Sequence, residues 1–156
     1  MSKTNTKVFE ERREVFFNKL NGKAAIIPSA KLVRHHADCE YPFRQESNFW
    51  YLTGFDEPDS VALFLSHKPK GERYILFVAP KDVIGEVWHG FRWGLDGAEK
   101  EFKADKAHSI YELKELLPAY IEGSDDIVFS LGKHRWVENI ILEIFSKQLE
   151  SRSRIG

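Results

Sequence analysis

Apolar residues along this chain follow two rhythms. Val8, Val15, Phe16 and Leu20, with Arg12 among them, recur at three- and four-residue steps, which puts side chains on one face of a helix. The pattern predicts a helix from about Thr6 or Lys7, stopped by Asn21-Gly22. Glycine takes the backbone conformation that commonly ends helices. Ala24-Ala25-Ile26-Ile27 ahead of Pro28 then reads as a short buried strand. Residues 29–48 hold no period and are expected as a long irregular loop, the kind that often carries function. A short helix is expected over Glu46 to Thr53, ended by Gly54.

Two runs, Val61–Leu65 and Tyr74–Val78, flank a polar turn with Pro69 and Gly71 and predict a hairpin. Both runs are nearly all apolar, so the sheet is expected to be covered on both faces. Ala98 to Phe102 reads as a short helix. Ser109-Ile110-Tyr111-Glu112 has the form of a capping box, where serine and glutamate satisfy each other's free backbone donors. It opens a helix with Leu113, Leu116, Leu117 and Tyr120 turned inward, in which Pro118 would introduce a kink. Ile127-Val128-Phe129 reads as another buried strand, and Arg135 to Leu149 as a last helix with its stripe at Val137, Ile140, Ile141, Ile144, Phe145 and Leu149. Helices alternating with strands, one hairpin included, define an α/β fold with a mixed sheet flanked by helices.

Composition narrows the classes. At 156 residues, 42% hydrophobic, the chain is expected to form one domain with a real core. A net charge of -1, from 23 basic and 24 acidic residues, argues against a general nucleic-acid binder. The single Cys39 cannot make an internal disulfide, which fits a reducing compartment. No apolar run approaches the ~20 residues that span a bilayer, and the polar start Met1 to Lys7 has no hydrophobic signal core after it. A cytoplasmic protein with no membrane partner is expected.

Three constellations invite chemistry. His35-His36-x-Asp38-Cys39-Glu40 offers metal-ligand types, but adjacent residues diverge on a regular element and no second ligand pair follows, so a solvated loop is the better reading. Cys39 could act as a nucleophile only if a histidine such as His35, His36 or His89 met it in space; an incidental thiol is simpler. Asp82, Glu86, His89, Arg92 and Asp96 surround a stretch with three glycines, Trp88 and Trp93, and no period. It is either a loop with its tryptophans tucked against the core or an aromatic wall for a ligand. Lys68 to Arg73 is a short basic turn, best read as solvated. Phosphate loops, G-x-S-x-G elbows and H-E-x-x-H helices are missing from the sequence.

The segment from Asp38 to Phe55 mixes acids, an arginine, amides and aromatic rings. Its run Glu40-Tyr41-Pro42-x-Arg44-Gln45-x-Ser47-x-Phe49-Trp50-Tyr51-x-Thr53-Gly54-Phe55 resembles the N-terminal domain of Xaa-Pro aminopeptidases (aminopeptidase P), and Glu86-x-Trp88-x-Gly90 is similar to that family's second N-domain motif. The similarity runs from about Glu11 to Arg152. It implies a creatinase-type N-terminal domain, a mixed sheet with helices on its faces. It also implies that Trp88 and Asp38 shape the substrate site without being catalytic, and that Tyr41 and Arg44 are structural supports. In that family a second, C-terminal pita-bread domain supplies two aspartates, a histidine and two glutamates that hold a pair of divalent metals, usually manganese. None of those ligands can be placed here, and the chain ends about where the link to that domain would start. The resemblance therefore implies a non-catalytic N-terminal domain, 1–156, of a homo-oligomeric enzyme that releases an N-terminal residue preceding proline, with no cofactor in this chain itself. The rival readings are a standalone peptide- or protein-binding module of the same fold and an independent small enzyme built on Cys39 or a histidine.

Overall fold

Every strand of the hairpin expected over residues 61–78 lies in the interior of a five-stranded sheet. The computed structural model describes residues 6–32, 34–35, 39–40 and 43–154. In chain order the elements are α1 (Thr6–Leu20), β1 (Ala24–Pro28), β2 (Arg34–His35), β3 (Cys39–Glu40), α2 (Ser47–Thr53), β4 (Val61–Leu65), β5 (Tyr74–Val78), α3 (Val83–His89), α4 (Gly94–Lys100), β6 (Lys106–Ser109), a 3-10 turn (Ile110–Glu112), α5 (Leu113–Ile121), β7 (Ile127–Val128) and α6 (Arg135–Ser153). The sheet order is β6-β5-β4-β1-β7. β4 pairs antiparallel with both β1 and β5, while β6 and β7 add parallel at the two edges. A second, separate pair is formed by β2 and β3, in which His35 lies opposite Cys39.

Alternation along the strands divides the core. Ala62 and Phe64 of β4 join Ala25, Tyr74, Leu76 and Val78 under Phe17 and Leu20 of α1, Phe49 and Leu52 of α2, and Ala98 of α4. Val61, Leu63 and Leu65 turn to the other face, with Ala24, Ile26, Ile75 and Phe77, beneath Leu113, Leu117 and Ile121 of α5 and Val137, Ile141 and Ile144 of α6. All five positions of β4 and of β5 are buried, which explains why these strands read as continuous apolar runs.

The structure departs from expectation at several elements. α1 buries Phe9, Arg13, Phe17 and Leu20, a stripe displaced by about one residue from the one expected, and Val15 stays exposed. The larger rings of Phe9 and Phe17 decide the rotation, since they bury more apolar area than the valines. β7 is an edge of two residues rather than a buried strand, and Val128 is exposed. α6 continues to Ser153, and Phe145 and Leu149 are exposed instead of completing its inner stripe. α5 passes through Pro118 to Ile121. The Ser109–Glu112 capping box is present as expected. No helix among the described residues is long and apolar enough to cross a membrane.

Candidate functional site

Gln45 ties together the segment that the sequence made conspicuous. Its side-chain oxygen accepts from the backbone N–H of Ala30 (2.8 Å) and of Glu46 (2.9 Å), and its amide donates to the carbonyls of Phe55 (3.1 Å) and Glu57 (2.9 Å). One amide thus joins the loop after β1, the start of α2 and the approach to β4. Glu46 caps α2 by accepting from the N–H of Phe49 (2.8 Å). Thr53 closes the helix from the other end, donating to Phe49 O and accepting from Phe55 N–H. Gly54 follows in the left-handed region (φ 66), and a Cβ there would stand 2.6 Å from the Phe9 ring. Arg44 is exposed. Asp38, Tyr41 and His36 lie outside the described residues, as do the side chains of His35, Cys39, Glu40 and His89.

Downstream, the stretch read as aperiodic folds into α3. Asp82 caps it, its side chain accepting from Ile84 N–H (3.1 Å), and Gly90 ends it. Trp88 is 82% exposed, and Val83, Ile84 and Val87 are exposed beside it. Of the two readings of this stretch, tryptophans tucked against the core describes only Trp93, which is half-buried and packs edge-to-face on Phe102 at 5.2 Å. Four large apolar side chains on the outside of a seven-residue helix do nothing for the core of this domain. Exposed apolar surface of this kind is a feature that binding sites share.

The link from α3 to α4 borders an open cavity of about 260 Å³ lined by Leu32, Phe43, Asp56, Glu57, Pro58, Phe91, Arg92 and Trp93. Glu57 is buried (6% exposed). One of its oxygens accepts from Trp93 N–H (2.6 Å) at the start of α4, and the other has no partner among the described residues. Burial raises the Glu57 carboxyl above the usual range; the Trp93 bond and Arg92 pull it back down, and Asp56 and Glu86 push it up. Asp56, exposed next to it, accepts from the Trp93 indole N–H (3.2 Å). The sequence singled out Glu86 and Arg92, and the structure brings both near Glu57. Asp56 and Glu57 were missed. An acid pair ahead of Pro58 was the only signal, and it does not differ from a solvated turn. A larger groove of about 620 Å³, between α1, α2 and the ends of β1 and β7, lies apart from Trp88 and from this cavity.

Among the described residues no three His, Cys, Asp or Glu side chains converge as a metal centre requires. The described side chains therefore supply no two-metal site.

A mixed sheet with helices on both faces, an aromatic-acidic segment wired by Gln45 and an exposed tryptophan helix together define a creatinase-type α/β domain. The model of the family "Aminopeptidase P, N-terminal domain" matches residues 9–129, and the chain belongs to that family. It is similar to the Xaa-Pro aminopeptidase of Haemophilus influenzae, 35% identical over 160 residues, covering 100% of this chain and 37% of the relative. The Escherichia coli Xaa-Pro aminopeptidase is 32% identical, covering 94% of this chain and 34% of its own length. Among solved structures, aminopeptidase PepP of Pseudomonas aeruginosa superposes over 100% of this chain and 35% of its own with a TM-score of 0.88 at 30% identity. Zinc-substituted E. coli aminopeptidase P in complex with product gives the same score at 31% identity, over 98% of this chain and 35% of that one. The chain thus spans about a third of the length of the relatives it matches.

Proposed function

We propose that this chain is the non-catalytic N-terminal domain of a metal-dependent Xaa-Pro aminopeptidase, a cytoplasmic homo-oligomer that removes an N-terminal residue preceding proline. The domain walls the substrate site and supplies subunit contacts. Trp88 offers an apolar face to the bound peptide and Asp38 stands at the rim of the site. Two divalent metals, manganese by preference, would supply the activated water for hydrolysis, and their ligands would come from a separate metal-binding domain rather than from the described residues of this chain. The observation that carries the reading is α3. Its exposed Val83, Ile84, Val87 and Trp88 contribute nothing to folding, yet they lie on the motif Glu86-x-Trp88-x-Gly90 in a chain whose relatives are named as Xaa-Pro aminopeptidases.

The division of labour is tested by assaying the purified chain with a Gly-Pro-containing peptide in excess manganese. No hydrolysis is expected from the chain alone, and activity is expected from the protein that joins it to a metal-binding domain. Turnover by the isolated chain would overturn the assignment. Tight, saturable binding of proline peptides to the isolated chain, with no activity in any longer form, would favour the binding-module reading instead.

A further inference from the structure

The Glu57 cavity has features that neither folding nor the proposed role of Trp88 requires. Its aromatic wall is an edge-to-face pair, Phe91 and Trp93, with centroids 5.0 Å apart, and Phe43 lines it as well. Its acid content exceeds its base content. Asp56, Glu57 and nearby Glu86 stand against Arg92 and Lys81, three acids to two bases. One carboxylate oxygen of the cavity lining, on Glu57, is buried without a hydrogen-bond partner among the described residues; the buried oxygen of nearby Glu86 already has Lys81 Nζ at 3.9 Å. A buried acceptor without a donor is costly, so the free oxygen of Glu57 leaves room for a donor from outside.

We propose that this cavity is a subsite for the guanidinium or ammonium head of a basic side chain on a bound peptide. The inference rests on the peptide-handling role proposed for α3, because Phe91 lies just past Gly90, the cap of that helix. Asp56 makes the first contact. It is exposed, and its bond from the Trp93 indole leaves further acceptor positions on the carboxylate. Glu57 provides deeper negative charge. The rings attract the same cation through their faces, as Phe91 already does with Lys81, whose Nζ lies 5.2 Å from the ring centroid. A metal ion fits poorly, since no three ligating side chains converge among the described residues. A neutral apolar ligand would leave the carboxylates unpaired. The volume, about 260 Å³, suits one side-chain head rather than a whole ligand of the size that fills ~300–1,000 Å³ pockets.

The test uses the chain itself, labelled for NMR, and three single-residue probes: N-acetyl-arginine amide, N-acetyl-lysine amide and the neutral N-acetyl-norleucine amide. The two cationic probes should shift the Trp93 indole N–H saturably, and the neutral one should leave it in place. Asp56→Asn and Phe91→Ala, both at exposed positions, should each weaken binding by about fivefold, the scale of a single exposed ion pair or cation–π contact. Equal shifts from norleucine amide, no saturable shift up to about 50 mM probe (weaker than any millimolar site), or unchanged binding in a folded Asp56→Asn chain would each overturn the proposal. These probes contain no proline and undergo no hydrolysis. A negative result therefore removes the subsite without touching the aminopeptidase reading, and a failure of that reading in a peptidase assay leaves this result standing.

Discussion

Arg13 is a charge inside the core, and its surroundings explain how it is tolerated. Its guanidinium donates to Leu52 O (2.9 Å) and stacks over the Tyr74 ring at 4.2 Å. Burial pushes the Tyr74 phenol far above its ordinary range, so the tyrosine stays neutral beside it. Arg13→Ala removes a buried hydrogen bond and the stacking together, and should cost about 2–4 kcal/mol in urea unfolding; a loss below ~0.5 kcal/mol would show that the contact is not made. His108 makes a pH-dependent contribution. It is held below its usual range mainly by burial, and its Nε2 meets Tyr120 Oη at 2.5 Å. His134 is lowered too, again chiefly by burial. Both histidines are harder to protonate folded than unfolded. Their contribution is intact above the unfolded pKa near ~6.5 and is lost as pH falls below it. Unfolding free energy should therefore rise between about pH 5.5 and 7.5, with a shallower rise in His108→Gln. An identical slope in that variant would rule out His108 as a source. The roles of Arg13 and His108 were not legible in the sequence, because each depends on a partner 12 or more positions away.

Elements were legible where burial was symmetric and obscure where it was not. β4 and β5 are buried at every position, so hydrophobicity alone marks them. β6 carries one apolar residue, Ala107, among Lys106, His108 and Ser109, and only its pairing with β5 identifies it. α3 was hidden for the opposite reason. Its apolar residues face outward, so they form no inward stripe for periodicity to detect. With few buried contacts, α3 should exchange its amides much faster than β4 and β5, as measured by hydrogen exchange; core-like protection in the isolated chain would mean that it packs against the domain after all. The Gln45 crosslink makes a sharper prediction. Gln45→Glu keeps the acceptor and replaces both donors with charge facing the carbonyls of Phe55 and Glu57. It should destabilise the chain by about 2–4 kcal/mol, the scale of two buried groups left unsatisfied, read as a lowered urea midpoint at unchanged m-value. Near-parent stability would show that the crosslink is incidental.

At the scale of the whole molecule, the domain matches about a third of its relatives' length and superposes on their solved structures with TM-scores of 0.88. The family was legible in the sequence because its two motifs perform separate tasks that residue identity records. One motif is wired by Gln45 and capped by Glu46 and Gly54. The other presents Trp88 outward. The Asp56–Glu57 cavity was not legible, since it assembles from the loop after β1, the turn before β4 and the link from α3 to α4. What remains is whether Trp88 faces substrate. The most direct measurement compares Trp88→Ala with the parent in two settings: kcat/KM on an Xaa-Pro peptide in a protein that joins this domain to a metal-binding domain, as proposed above, and Tm in the isolated chain. The account predicts a fall in kcat/KM of tenfold or more, about 1.4 kcal/mol of transition-state binding, with Tm unchanged because the side chain is 82% exposed. Unaltered kinetics would contradict it, and so would a kinetic loss matched by a collapse in Tm.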